Sequence, residues 1–169
     1  MFLAIAIGAL GALVTGCNND NGVDCPPDHT GPLAGNEEKL TGEWVLSAIV
    51  SEEEIDLTDD DEENPQQDIY AQYSDCLQDG VYTFAADRKY TFEQGQNAAE
   101  CENKSSLEGT WQLSAQTLSL VGACHVQNVA ITFNGDASAF SFTDDYNVRD
   151  TNGQTISTEI TFTYTAAAP

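Results

Sequence analysis

From Lys39 onward the chain alternates apolar and polar positions with a period of two. The stretch "EWVLSAIV", residues 43–50, sets Trp44, Leu46, Ala48 and Val50 against Val45, Ser47 and Ile49. Further along, "TWQLSA" places Trp111 and Leu113 on one face, and "TLSLVG" does the same with Leu118 and Leu120. "NVAITF" aligns Val129, Ile131 and Phe133, and "AFSF" aligns Phe140 and Phe142. "TISTEITFTYT" aligns Ile156, Thr158, Ile160, Phe162 and Tyr164, with Ser157, Glu159, Thr161 and Thr163 opposite. Such alternation marks half-buried strands, and clusters of Gly, Asn and Asp separate them at hairpin-like intervals. The pattern predicts an all-β chain of about eight antiparallel strands, a barrel or a sandwich. "IYAQYSDC", residues 69–76, fits a short helix and an edge strand equally well.

The most informative local element is "VYTFAADRKYTFEQG", residues 81–95. Tyr82 and Phe84 share a face with Tyr90 and Phe92 if 82 pairs with 92 and 84 with 90. That register leaves the loop Ala86-Asp87-Arg88. Three-residue hairpin loops end on a left-handed residue, usually Gly, so Arg88 is predicted to carry local strain.

Charge narrows the function classes. Five Lys and Arg oppose 28 Asp and Glu, a net charge of −23. This field repels phosphate backbones, which argues against nucleic-acid binding. Nine of the twelve positions from Glu52 to Glu63 are acidic, which predicts a self-repelling, solvated loop.

The first sixteen residues, "MFLAIAIGALGALVTG", carry no charge and are followed by Cys17. The apolar run is too short to span a bilayer as a stable helix. "LVTGC" resembles the lipobox of bacterial lipoprotein signal peptides, in which the Cys is acylated. The resemblance implies a leader over residues 1–16, lipidation at Cys17, and attachment to a membrane by acyl chains alone. Residues 18–38 are rich in Asn, Asp, Gly and Pro without periodicity, so 17–38 is predicted to be a flexible tether. The folded domain is then 39–169.

Four cysteines remain: Cys25, Cys76, Cys101 and Cys124. Export implies an oxidising compartment and two disulfides, with three possible pairings. The hairpin register places position 76 opposite 98, close to Cys101. A Cys76–Cys101 bridge would clamp the hairpin's open end, and Cys25–Cys124 follows by elimination.

Both Trp residues sit in the same frame, "LTGEWVL" (40–46) and "LEGTWQL" (107–113). Each glycine would let the chain turn tightly into a strand. The order is a GxW strand, an acidic loop, Cys, an aromatic hairpin, Cys, a second GxW, and then alternating strands. It resembles the small lipocalin-like domains of bacterial surface lipoproteins over about residues 39–165. The resemblance implies an up-and-down β-barrel with Gly42 and Trp44 at a closed floor, and the repeated frame in this sequence makes Gly109 and Trp111 candidates for the same floor. It also implies an Arg near the last strand packed over the Trp, and "TISTEITFTYTAAAP" contains none.

The inward aromatic face offers two expectations. Tyr82, Phe84, Tyr90, Phe92, Phe162 and Tyr164 either line a pocket for a small apolar ligand or simply fill a narrow barrel. No metal site or cofactor is expected: the acidic run lacks the Gly and closing Glu of a calcium-binding EF-hand loop, and His29 and His125 match no zinc spacing. Nucleophile and metallohydrolase motifs are absent from the sequence, so no catalytic residue and no enzymatic activity are expected. The expectation is a lipid-anchored binding module of the bacterial envelope, at the outer membrane on its periplasmic or surface face. It would hold a small apolar ligand or an envelope protein partner. The alternative is an interaction lipoprotein with a filled barrel that acts through its acidic surface.

Overall fold

The computed structural model describes residues 24–167. The expected leader and the lipidation site Cys17 lie outside the described residues. The strands are β1 (Gly42–Ile55), β2 (Gln66–Asp68), β3 (Val81–Phe84), β4 (Lys89–Gln94) and β5 (Ser105–Ser114). They continue as β6 (Thr117–Gly122), β7 (His125–Ala130), β8 (Thr132–Phe133), β9 (Ala139–Arg149) and β10 (Thr155–Ala166). All belong to one sheet in the order β7-β6-β5-β4-β3-β1-β10-β9-β8, with β2 on the flank of β1. Every pairing is antiparallel. Because β1 pairs with both β3 and β10, and the chain passes from β7 directly into β8, the sheet curls into a nearly closed barrel. The strands beyond the expected eight are short: β2 has three residues and β8 two.

Local chemistry explains the elements. "IYAQYSDC" forms two short helices, α1 (Ile69–Gln72) and α2 (Asp75–Gln78). Asp68 caps α1 by accepting from the Ala71 amide at 3.0 Å. The β3–β4 hairpin has the expected register, Tyr82 opposite Phe92 and Phe84 opposite Tyr90. Arg88 closes its loop in the left-handed region at φ 71°.

The first strand departs from strict alternation. A bulge between Leu46 and Ala48 shifts its pairing with β10 by one residue. Ile49 is therefore buried and Val50 is 44% exposed, the reverse of the expectation. β1 also runs on into the acidic run, expected to be a solvated loop, and there Ser51 and Ile55 are buried while Glu52, Glu53 and Glu54 face water.

The core runs along the barrel axis and includes Leu40, Trp44, Ile49, Ile55, Phe84, Trp111, Leu113, Phe140, Ile160 and Tyr164. Two disulfides join Cys76 to Cys101 and Cys25 to Cys124. Among the described residues no helix is long and apolar enough to cross a membrane.

The described part of the expected tether, residues 24–38, is docked rather than loose. The His29 amide donates to Thr110 Oγ1 at 2.9 Å, and its Nε2 lies 3.1 Å from Ser119 Oγ. Asn36 Nδ2 donates to the Leu113 carbonyl, Leu33 packs on the core, and Glu37 is buried. Composition alone hid this, because a few specific contacts and one disulfide hold a segment that is otherwise polar.

Candidate functional site

The strand directions separate a closed end from an open end. The closed end gathers the starts of β1 and β4 with the ends of β3, β5 and β10. Trp44 and Trp111 are both there and both buried. Trp44 Nε1 donates to the Leu40 carbonyl at 2.8 Å, and Trp111 Nε1 to the Ala85 carbonyl at 3.1 Å. Ring contacts tie Trp44 to Phe140 (5.1 Å) and Trp111 to Phe84 (5.4 Å).

The two glycines of the repeated frame serve different ends. Gly42 takes φ +125°, a conformation that side chains resist, in open space. Gly109 does not open a strand, because β5 begins at Ser105. A Cβ at Gly109 would lie 2.0 Å from the Val121 carbonyl oxygen and 2.9 Å from Tyr90 Cε1. Its absence of side chain allows β6 and the Tyr90 ring to press close.

Beneath Trp111 lies a buried ion pair that the sequence did not announce. Arg88 Nη1 and Nη2 each donate to one oxygen of Glu37, both at 2.8 Å. The guanidinium also donates to the carbonyls of Gly31, Pro32 and Trp111. Glu37 in turn accepts from the amides of Ala34 and Leu113. The hydrogen bonds from Arg88 outweigh the opposing effect of burial and hold the Glu37 carboxyl at about 2, below its ordinary 4.5. The arginine at this end of the barrel thus sits in the β3–β4 loop and bonds the Trp111 backbone carbonyl, and the last strand contains none.

Above the floor the rings pack on one another. Tyr82 contacts Phe84, Phe92 and Tyr164 at centroid distances of 5.5, 4.6 and 5.1 Å. Tyr164 stacks on Phe140 at 5.3 Å, and Phe162 on Phe142 at 5.2 Å. Tyr90 lies 6.5 Å from Phe84 and covers Gly109. All six aromatics expected to line a ligand are thus in ring contact with other aromatics. Burial pushes the Tyr82 hydroxyl up to about 12 and the Tyr164 hydroxyl higher still.

The open end is polar on one side and partly apolar on the other. On the first side, Glu52, Asp145 and Glu159 share one outer patch, with Glu159 directly opposite Asp145 in the ladder. The loop after β1 is organised by Asp56. Burial opposes its ionisation, but hydrogen bonds from Thr58 and Asn64 prevail and lower its pKa. On the second side, an open cleft of about 510 Å³ is lined by Tyr90, Leu107, Leu120, Gly122, His125 and Gln127, among others. Leu107 is 55% exposed at its edge. Among the described residues no group of three His, Cys, Asp or Glu comes together to hold a metal ion. Cys25 and Cys124 are bonded to each other.

Comparison with known proteins returns one family. The model described as "Domain of unknown function (DUF5004)" matches residues 18–167, and the chain belongs to that family. No curated protein and no solved structure matches the chain.

Proposed function

We propose that this family member is a non-catalytic binding module of the bacterial cell envelope. In this reading it is anchored through an acylated Cys17 at the outer membrane and is related to the lipocalin-like surface lipoproteins. It works at the open end of a filled barrel, where its acidic surface engages a cationic protein partner. The observation that carries this reading is the contrast between the two parts of the barrel. Aromatic rings occupy the interior by stacking on each other, while Glu52, Asp145 and Glu159 crowd one patch at the open end. Of the five cationic side chains, Arg88 is locked in the floor, so the surface field is overwhelmingly negative. Such a field steers cationic partners and repels other copies of the same chain.

A second reading has its own observation. The cleft of about 510 Å³ beside Tyr90 and Leu107 has the size of a small-molecule site. A small apolar ligand would bind there, at the mouth, rather than among the rings.

The test is site-specific photo-crosslinking in the native envelope. A photoreactive residue replaces Tyr146 at the open end or Glu38 at the floor. The proposal expects a salt-sensitive crosslink to a basic protein from position 146 only. Equal labelling from both positions, or none from 146, contradicts it.

A further inference from the structure

The barrel wall is not continuous. β9 pairs with β10 along its full length, but on its other side β8 covers only Phe140 and Ser141. From Phe142 to Arg149 that side has no ladder partner among the described residues. Across the opening, β7 pairs with β6 and has no ladder partner on its outer side among the described residues. Two strand edges therefore face each other across a slot at the open end, and where they draw closest the slot is narrower than a strand held between them would need.

The hydrogen-bonding polarity of each edge follows from nearby contacts. The Ala139 carbonyl accepts from the Asn134 amide on the β8 side, so alternate residues of β9 point their backbone groups the same way. Thr143, Asp145 and Asn147 accordingly direct N–H and C=O groups into the slot. Only the Asp145 amide finds a local acceptor there, Asp144 Oδ1 at 2.9 Å. On β7, the Ile131 amide donates to the Gln116 carbonyl on the β6 side, which leaves Val126 and Asn128 directed outward. Residues 143–147 are all exposed, on both faces of the strand.

Proteins usually guard such edges with Pro, Lys, bulges or charge. This edge has no Pro, no Lys and no register shift; its guards are Asp144 and Asp145. With Glu159 opposite Asp145 and Glu52 beside them, those acids repel a second copy of a chain that carries −23. The same acids complement a strand of opposite charge.

We propose that the free edge of β9 accepts an extended cationic peptide segment of a protein partner as an added strand, paired antiparallel along Thr143–Asn147. Main-chain bonds supply register, and alternate basic side chains lie beside Asp145 on the outer face, while Glu159 on β10 and Glu52 on β1 deepen the negative field around them. The exposed stretch Thr143–Asn147 sets the paired segment at about five residues. This inference rests on the reading that the acidic open end binds a cationic partner, and it names the element that does so.

The test uses the oxidised full-length chain and two capped synthetic octapeptides, (Lys-Thr)₄ and (Lys-Pro)₄. They carry equal charge, but proline at every second position removes half of the amides and fixes φ at about −65°, away from the strand conformation. Amide hydrogen exchange is followed by NMR. (Lys-Thr)₄ is expected to slow exchange at Thr143 and Asn147 about tenfold or more, with no such effect from (Lys-Pro)₄. An Asp144→Lys/Asp145→Lys variant, altered only at exposed positions, is expected to weaken (Lys-Thr)₄ binding about tenfold. If both peptides bind equally with no edge amide protected, the added-strand proposal is overturned while the acidic binding reading stands. If neither peptide binds, both fail.

Discussion

Arg88 and Glu37, 51 positions apart, form a two-pronged ion pair in which Nη1 and Nη2 of the guanidinium each meet their own carboxylate oxygen at 2.8 Å. The pair bolts the N-terminal segment to the loop of the aromatic hairpin. It also accounts for an otherwise awkward residue choice. Arg88 holds a left-handed conformation that glycine would adopt without strain, because its side chain is needed beneath Trp111.

Replacing Arg88→Gly is expected to relax the loop yet destabilise the protein by about 3–5 kcal/mol, since it strands a buried carboxylate. Adding Glu37→Gln keeps an acceptor for the Leu113 amide and removes the charge, so the double variant recovers part of the loss. Urea denaturation of the parent and the two variants measures this. A single variant as stable as the parent would show that the pair does not hold the floor.

The same carboxyl sets an acid dependence. Glu37 is held at about 2 in the fold, against an ordinary 4.5 when unfolded. Between these values the unfolded chain binds more protons, so stability falls as pH drops through that window and is fully present above it. The shift corresponds to about 3 kcal/mol. Many other acids titrate nearby, so the informative quantity is the difference between the parent and Glu37→Gln. That difference should shrink between about pH 6 and about pH 3. A constant difference would contradict the assignment.

The two glycines of the Trp frames should respond differently to alanine. Gly109→Ala forces a Cβ against the Val121 carbonyl and the Tyr90 ring, and is expected to cost about 3 kcal/mol. Gly42→Ala meets open space and carries only backbone strain, about 1–2 kcal/mol. Thermal unfolding of both variants ranks them, and the reverse order would refute the close approach at Gly109.

Alkaline titration probes the ring packing. Burial holds Tyr82 at about 12 and Tyr164 higher, against 10 for a free phenol. Above about pH 10 the unfolded chain releases these protons first, so stability is lost as pH rises from there. Phenolate absorbance should develop in two stages, with Tyr82 and Tyr164 ionising last or only on unfolding. A single transition near 10 for all six tyrosines would contradict a packed interior.

Period-two alternation made most strands legible, because each has one face in the barrel and one in water. The 82–92 register also placed Cys76 near Cys101 without any coordinates. Three things were not legible. The bulge after Leu46 inverts Ile49 and Val50, and one extra residue leaves no mark on composition. The Arg88–Glu37 pair depends on tertiary proximity between a loop and a segment whose Pro, Gly and Asp content reads as a linker. The unpaired edge of β9 is invisible because a half-paired strand and a fully paired one alternate identically.

Native mass spectrometry of the full chain released gently from its own envelope tests the central claim most directly. An acyl mass on Cys17, a loss of four hydrogens for two disulfides, and no small apolar molecule at one-to-one stoichiometry are expected. A stoichiometric apolar passenger that survives release, or an unmodified Cys17, would contradict a lipid-anchored, filled barrel that works from its rim.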